Sequence, residues 1–466
     1  MNVLLVQHTR RNTDSYPLGL ASVAAVLREA GRRVSFVDLG FESDPDEALG
    51  RAIAEHEPGL LGFTIWTTGY GELIELLGRC DAARNIPVVA GGPHVAVAAR
   101  EVLADGFVDV AVRGEGEPIA ARICDALDGG SDLADVPGIA FVGEDGSYVE
   151  TPDVDPVEDL DRLPAPPLDL FDPRRYRNTL GGRPVVDLMT ARGCPHRCAF
   201  CSRGPTSGRR VRFMSPERVV AGMELLEQRF GFRAFYFLDD IFTLRRRRIV
   251  ELCDRLIAAG HDDYRWACQT RVDRVDRELL EAMGRAGCVS IHFGVESANR
   301  EILERLRKKT TAGQALAALR DCRKVGIPTM AYFMLGTPWD TPVTERESID
   351  LAKQLGATVT LFFVAMPYPG TELREAFVER GLPVPERPGE YRAFFSEREL
   401  EPGASDSPWT VHYREVRERC RAATREVLLA QVADLRGYRQ LLPEFYRQYG
   451  VRGFAERVVT RLRNLM

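Results

Sequence analysis

Three cysteines stand close together near the middle of the 466-residue chain. Cys194, Cys198 and Cys201 form a C-x3-C-x2-C array directly after a segment with the pattern of a β-strand. Three thiolates at this spacing can hold one face of an iron-sulfur cluster. A four-iron cluster with three protein ligands leaves one iron open, and an open coordination position is typical of catalytic metal sites. The spacing therefore predicts a reactive cluster.

Two other interpretations of the array are a structural zinc site and a chance grouping of cysteines. Zinc could recruit His196 as a fourth ligand, but a histidine placed between two cysteine ligands has an awkward ring geometry. Neither interpretation explains the strand before the array or the repeating pattern after it. The array therefore favours an iron-sulfur cluster.

The residues before the array predict a first sheet. Residues 2–149 alternate short β-branched runs with amphipathic helical segments, a pattern typical of a doubly wound, Rossmann-like parallel sheet. The strands are predicted at 3–6, 34–37, 60–65, 88–90 and 108–112, and two of the helices at 18–30 and 70–84. Ligands of such sheets bind beyond the carboxyl ends of the strands. We call the residues there the binding face: Gln7, Trp66, Thr67, Thr68, Gly91, Gly92 and Pro93.

The residues around and after the array predict a second sheet. Six strand-helix units between 185 and 384 indicate a partial (β/α)6 barrel, with its chemistry at the carboxyl ends of the strands. We therefore predict an α/β chain in four parts: a Rossmann-like domain at 1–150, a linker at 151–184, the barrel at 185–384 and a helical C-terminal segment at 385–466. The last segment is expected to contain helices at 411–441 and 451–465.

Composition narrows the possible partners and the compartment. A net charge of -6 and a pI near 5.8 provide no overall field that would attract nucleic acid or an anionic membrane, so we expect a small-molecule substrate. The apolar run at the start is too short for a signal peptide or a membrane span, which predicts a cytoplasmic protein. The other seven cysteines lie in apolar contexts and are expected in the core.

With Phe200 directly before its third cysteine, the array resembles the signature of the radical S-adenosylmethionine (SAM) superfamily. Later strand ends also look like motifs of that family. They are YFLDD at 236–240, QTRVD at 269–273, GVES at 294–297, FMLGTP at 333–338 and MPYPGT at 366–371. The resemblance implies that SAM chelates the open iron of a 4Fe-4S cluster through its methionyl amine and carboxylate. One electron then cleaves SAM to a deoxyadenosyl radical, and a flavodoxin- or ferredoxin-type protein is the implied electron donor.

The same resemblance implies roles for particular side chains. Phe200 would pack near the adenine, and the strand end with Asp239 and Asp240 would face the methionyl amine. Arg271 would bind the carboxylate, because its fork can form two hydrogen bonds at once. Glu296 and Ser297 would reach the ribose. The alternatives are an ion pair for Arg271 or Glu296, and a helix N-cap for one of the two aspartates.

Three segments before the array resemble the cobalamin-binding domain of one large subgroup of the superfamily: PLGLASVAAVLREAGRRVSFVDL at 17–39, GGPH at 91–94 and VRGEGE at 112–117. The resemblance implies that Trp66, Thr67, Gly91 and Gly92 contact cobalamin. The chain lacks the D-x-H-x-x-G signature around His8, so no protein histidine is expected to ligate the cobalt. Trp66 could cover the lower face of the cobalt or pack at the domain interface.

Many members of that subgroup are methyltransferases, so we predict a cobalamin-dependent radical SAM methyltransferase. Its substrate is expected to be a small metabolite, as in antibiotic biosynthesis or other secondary metabolism. The alternative is a radical SAM dehydratase, epimerase, mutase or other oxidoreductase with a degenerate or non-methylating cobalamin-type domain. A corrinoid or iron-sulfur sensor would not need an open cluster. Tyr332, Tyr368, Trp409 and His412 are candidates for the substrate pocket or for the core.

Overall fold

A computed structural model describes residues 1–8, 16–176, 178–202, 208–391 and 407–433. Its first sheet has seven strands in the order β2-β1-β3-β4-β5-β6-β7, of which β1 to β5 are parallel. The strands are Asn2–Gln7, Arg33–Asp38, Leu60–Thr64, Val88–Gly91, Val110–Val112, Ile139–Val142 and Tyr148–Glu150. The helices between them are α1 to α5, at Leu18–Glu29, Pro45–His56, Tyr70–Arg79, Val95–Ala104 and Ala120–Leu127.

Helices cover both faces of this sheet. One apolar cluster joins the sheet to α2, α3 and α4, and a second cluster joins it to α1 and α5. Strand β1, with the sequence NVLLVQ, is buried along almost its whole length, as expected for a parallel strand covered on both sides. The prediction of a doubly wound, Rossmann-like sheet is confirmed.

The antiparallel end of the first sheet was not predicted. Strand β6 pairs with β5 and with β7, and Gly143 and Gly146 lie in the turn between β6 and β7. Strand β7 is only YVE and none of its residues is buried, so its sequence shows no core-facing pattern.

The second sheet has six parallel strands in the order β10-β13-β14-β15-β16-β17. These strands are Val186–Leu188, Ala234–Phe237, Arg265–Thr270, Cys288–Glu296, Thr329–Leu335 and Val359–Val364. Short hairpins flank β10: β8 (Thr179–Leu180) with β9 (Arg183–Pro184), and β11 (Ala191–Arg192) with β12 (Arg212–Phe213). The helices are α6 to α12, at Pro216–Phe230, Arg246–Ala258, Arg277–Arg285, Arg300–Arg305, Ala312–Val325, Pro342–Leu355 and Glu372–Glu379. The predicted partial (β/α)6 barrel is confirmed.

A long helix, α13 (Pro408–Ala433), packs along the β17 edge of the barrel. The backbone N–H of Phe362 in β17 donates to Thr424 Oγ1 of this helix at 3.3 Å. Trp409 is fully buried and packs against Phe377 and His412, so Trp409 belongs to the core. The helix begins before its predicted start at 411, and the second helix predicted at 451–465 lies outside the described residues.

Two further predictions concern burial and membranes. The seven cysteines outside the array are buried and unpaired, which confirms their expected place in the core. Among the described residues, none of the helices combines the length and the apolarity that a membrane span requires.

The boundaries predicted at 150, 184 and 384 stay predictions. The first sheet ends at Glu150, and the barrel strands run from Val186 to Val364.

Candidate functional site

The cysteine array lies on the loop that joins β11 to β12, which we call the cluster loop (residues 193–211; 203–207 are not described). Antiparallel pairing of Arg192 with Arg212 closes the base of this loop. Gly193 has a φ of +94°, and a Cβ there would lie 2.5 Å from the Arg210 carbonyl oxygen. Only glycine fits this turn, which leads the chain directly into Cys194.

The three thiols are close enough to influence one another electrostatically. Cys194 and Cys198 are half-buried, whereas Cys201 is exposed. Burial raises the pKa of Cys194 to about 11 and also raises the pKa of Cys198, against the opposing effect of the nearby Lys308 and Arg271. Cationic neighbours favour the thiolate form that binds metal.

Three cysteine thiols are the donor set of an iron-sulfur cluster. In the described part of the chain, no group of three or more His, Cys, Asp or Glu side chains is arranged to hold one metal ion. A mononuclear zinc site needs ligands that converge on one point, whereas three cysteines on a cubane bind separate irons.

Lys308 is a buried cation beside the cluster loop that the sequence analysis did not single out. Its Nζ lies 2.7 Å from Glu296 Oε1, and the two side chains are 8% and 11% exposed. The same Nζ lies 5.7 Å from the centre of the Phe200 ring. Gly294 leaves room for this pair, since a Cβ there would approach Glu296 Oε1 to 2.5 Å. Lys308 therefore connects two residues for which the resemblance implies SAM contacts.

Arg271 and Ser297 also have protein partners. Arg271 forms a two-point ion pair with Asp273, at 2.8 and 3.1 Å, and donates to the Lys308 carbonyl at 2.7 Å. Ser297 Oγ accepts from the Asn299 N–H at 3.1 Å. Arg271 and Glu296 thus form ion pairs, which were the alternative to a role in binding SAM. The SAM contacts of these two residues stay predictions.

The neighbouring aspartates occupy different environments. Asp239 is buried and accepts from Thr190 Oγ1 at 2.6 Å and from the Ala191 N–H at 2.9 Å. Burial raises the pKa of Asp239 to about 6, against the opposing effect of its hydrogen bonds from Thr190. The negative charge of Asp240 acts on Cys194. The N-cap alternative is wrong for both residues, because the next helix, α7, has Arg245 as its N-cap.

The binding face combines an exposed indole with a tight glycine turn. Trp66 follows β3 and is 41% exposed, while Thr67 beside it is buried. Gly91 ends β4, and Gly92 has a φ of +101°, with the Ile65 backbone 3.0 Å from where its Cβ would be. Close backbone approach at the carboxyl ends of two parallel strands provides the kind of shallow platform that a large planar cofactor requires.

Two histidines lie beside this face. His94 is buried, and neither ring nitrogen has a hydrogen-bond partner among the described residues. Burial lowers its pKa to about 4, with Asp105 acting in the opposite direction. Nε2 of His8 donates to the Gly69 carbonyl at 3.1 Å, and burial lowers the pKa of His8 to about 4 as well. An unsatisfied buried imidazole is consistent with a polar ligand at this face. The residues therefore fit a corrinoid.

The interior of the barrel contains polar residues that the sequence analysis did not bring together. The hydroxyls of Tyr236 and Tyr332 both lie 2.9 Å from Nδ1 of His292. Burial lowers the pKa of His292 to about 4, so the imidazole is neutral near pH 7. His292 and Gly294 lie two residues apart in strand β15, so the two-residue period of a strand already placed His292 on the side of Gly294.

Two family models match the chain, that of the Radical SAM superfamily over residues 188–352 and that of the B12 binding domain over residues 7–123. The uncharacterized methyltransferase PH0819 of Pyrococcus horikoshii is 32% identical over 372 residues, which cover 79% of this chain and 80% of that protein. The chain belongs to the radical SAM superfamily. It is a radical SAM enzyme with a B12-binding domain, and these two family models give a 4Fe-4S cluster, SAM and cobalamin as its cofactors.

Other relatives share the architecture with lower similarity. An anaerobic magnesium-protoporphyrin IX monomethyl ester cyclase of Rubrivivax gelatinosus is 29% identical over 77% of this chain, which spans only 65% of the cyclase. The methyltransferase TsrM of Kitasatospora setae, solved with cobalamin and a 4Fe-4S cluster, has a TM-score of 0.71 at 23% identity, covering 89% of this chain and 84% of TsrM. At that identity the match shows the shared fold.

Proposed function

We propose that this protein is a cobalamin-dependent radical SAM methyltransferase that methylates an unactivated carbon of a small metabolite. The observation that carries the proposal is the presence of two features in one chain. The three-cysteine cluster loop lies beside a barrel, and the binding face, with its tight glycine turn, lies on a Rossmann-like sheet. The similarity to PH0819, named a methyltransferase, supports the choice of reaction. TsrM, solved with tryptophan as its substrate, supports a small-molecule substrate.

The chain's own residues would hold the cofactors in distinct ways. We assign the cluster to Cys194, Cys198 and Cys201, whose loop is anchored by Asp239 through Thr190 and Ala191. When bound, the cluster provides the electron that cleaves SAM, and cobalamin carries the methyl group.

The SAM site is assigned to the side chains around the Lys308–Glu296 pair. Phe200 is the candidate for the adenine, and Glu296 with Ser297 for the ribose. Arg271, already oriented by Asp273, is the candidate for the methionyl carboxylate. Asp240 remains the candidate for the methionyl amine, because the carboxylate of Asp239 is occupied by the strand before the cluster loop.

The substrate side is assigned to the interior of the barrel. His292, Tyr236 and Tyr332 present neutral hydrogen-bonding groups there, because burial keeps the imidazole unprotonated near pH 7. Neutral groups suit a polar substrate that is uncharged where it contacts them, because a buried charge on the substrate would need a residue of opposite charge beside it. On the other domain, Trp66, Thr67, Gly91 and Gly92 are assigned to cobalamin, with the exposed Trp66 indole as the candidate cover of the cobalt.

The cellular setting completes the proposal. We propose a flavodoxin- or ferredoxin-type electron donor, a cytoplasmic location and a role in secondary metabolism such as antibiotic biosynthesis. The seven cysteines outside the array are buried as free thiols, which suits a reducing compartment.

A second candidate is a radical SAM enzyme that does not methylate. The similarity to the Rubrivivax cyclase favours it, because that relative shares 77% of this chain at 29% identity. Such an enzyme would cleave SAM to deoxyadenosine but would form no S-adenosylhomocysteine.

The test uses the full chain, purified and reconstituted without oxygen. Iron near four per chain, bound cobalamin, and formation of both deoxyadenosine and S-adenosylhomocysteine with titanium citrate would support the methyltransferase. Deoxyadenosine without cobalamin or S-adenosylhomocysteine would favour the second candidate. Cys198→Ala should abolish both products, with Cys80→Ala as the control because Cys80 lies at the end of α3, buried in the apolar cluster beside the first sheet. Unchanged turnover in Cys198→Ala would refute the assignment of the cluster.

A further inference from the structure

Four charged side chains connect the base of the cluster loop with the first sheet. Arg192 and Arg212, paired across β11 and β12, extend to Glu115 and Glu117, which follow β5. Arg192 Nη2 lies 2.7 Å from Glu117 Oε1. Arg212 donates to both oxygens of Glu115, at 2.7 and 2.9 Å. Because Arg192 Nη1 also lies 3.5 Å from Glu115 Oε1, the four side chains form one connected group, which we call the quartet.

The quartet is buried. The side chains of Arg192 and Arg212 are 14% and 2% exposed, and those of Glu115 and Glu117 are each 6% exposed. A buried ion pair is often no more stabilising than apolar residues of the same size, but its hydrogen bonds fix direction and distance. The two-point contact of Arg212 with Glu115 adds to that geometric precision.

The two domains also touch at a second place, away from the quartet. A Cβ on Gly71 of α3 would lie 3.2 Å from the Gly389 nitrogen, and one on Gly370 would lie 3.1 Å from Val97 Cβ of α4. These close contacts join helices α3 and α4 of the first domain to residues that follow β17 of the barrel. Loss of the quartet would therefore leave the domains attached and would free mainly the cluster loop.

We propose that the quartet holds the cluster loop at a fixed position against the binding face. This inference rests on the proposed function, in which the methyl group of SAM at the cluster must reach cobalt at the binding face. A misplacement of about 1 Å between reacting groups can reduce a rate about a hundredfold. The quartet residues act through the loop and the face, so they are positioning residues.

The variant that tests this is Glu117→Gln, which leaves Arg192 without its closest carboxylate. The matched control is Glu150→Gln. Glu150 pairs with Arg113 at 2.7 Å in the same region but is 47% exposed. In the cofactor-free chain, kept reduced and anaerobic, hydrogen-deuterium exchange of the backbone at 191–202 should rise about tenfold or more in Glu117→Gln and stay unchanged in Glu150→Gln.

The loaded enzyme provides a second readout that needs no substrate. With SAM, cobalamin and titanium citrate, S-adenosylhomocysteine forms only if the methyl group reaches cobalt, whereas abortive deoxyadenosine needs only the cluster. Glu117→Gln should lower the ratio of S-adenosylhomocysteine to deoxyadenosine about tenfold or more, with iron content unchanged. Glu150→Gln should keep the ratio of the unmodified enzyme.

A double variant separates positioning from simple stability. Glu117→Gln with Arg192→Met removes the unpaired buried charge, so its melting temperature should return toward that of the unmodified chain while the ratio stays low. A restored ratio in the double variant, or an unchanged ratio in Glu117→Gln, would overturn the proposal. Absence of bound cobalamin and of S-adenosylhomocysteine in the unmodified enzyme would instead refute the proposed function. The exchange data would then still support or overturn the fixing of the loop.

Discussion

Acid is expected to destabilise the first sheet through His94. This histidine follows β4, is 1% exposed, and has a pKa that burial lowers to about 4. The same side chain in the unfolded chain has a pKa near 6.5. The unfolded chain therefore binds the proton more readily, so stability is present above about pH 6.5 and is lost as the pH falls toward 4.

The size of the effect follows from the two pKa values. They differ by about 2.5 pH units, and each unit corresponds to about 1.4 kcal/mol, so complete protonation would cost about 3.4 kcal/mol. Lowering the pH from 7 to 5 should therefore reduce the free energy of unfolding by about 2 kcal/mol through His94.

The measurement is urea unfolding of the cofactor-free, reduced chain at pH 7 and pH 5. His94→Phe keeps a ring of similar size without a titrating group. Between the two pH values, its free energy of unfolding should fall by about 2 kcal/mol less than that of the unmodified chain. His56→Gln, at the end of α2, is the control. Its free energy of unfolding should fall between pH 7 and pH 5 by as much as that of the unmodified chain. Equal losses in His94→Phe and the unmodified chain would refute the argument that His94 is held neutral by burial.

Two further variants test the SAM side and the binding face. Lys308→Met should lower the free energy of unfolding by about 3–5 kcal/mol, because it leaves the Glu296 carboxylate buried without its cation. The double variant Lys308→Met with Glu296→Gln should recover part of that loss. A loss below about 1 kcal/mol in urea titration would contradict the burial of this pair. Gly92→Ala should lower the free energy of unfolding by about 1–3 kcal/mol and reduce the amount of cobalamin retained after gel filtration. The reason is that Gly92 has a φ of +101° and that the Ile65 backbone lies 3.0 Å from the added Cβ. Gly106→Ala is the matched control: its φ is +76°, and no atom of the described residues lies within 4 Å of the added Cβ. This variant should lose less stability and should retain cobalamin.

The sequence by itself determined the elements and the family. The first five strands of the first sheet are apolar runs whose period and length depend only on local sequence, so their positions were predicted closely. The same kind of pattern predicted the six strands of the barrel between 185 and 384. The cysteine array is equally local, since its ligands lie within one short segment. The hairpin of β6 and β7 was missed because its second strand is short and lies at the edge of the sheet, where no core-facing pattern is needed.

Only the tertiary structure decided which charged residues meet. Glu117 and Arg192 are separated by 75 positions in the chain, and no periodic pattern relates them. Glu296 and Lys308 lie 12 positions apart, but a tight turn at Glu296, with a φ of +69°, separates the strand from the helix that follows. Burial gives these pairs their importance, because a charge removed from water must find a partner. The position of that partner depends on how the two sheets pack together for Glu117 and Arg192, and on packing within the barrel for Glu296 and Lys308.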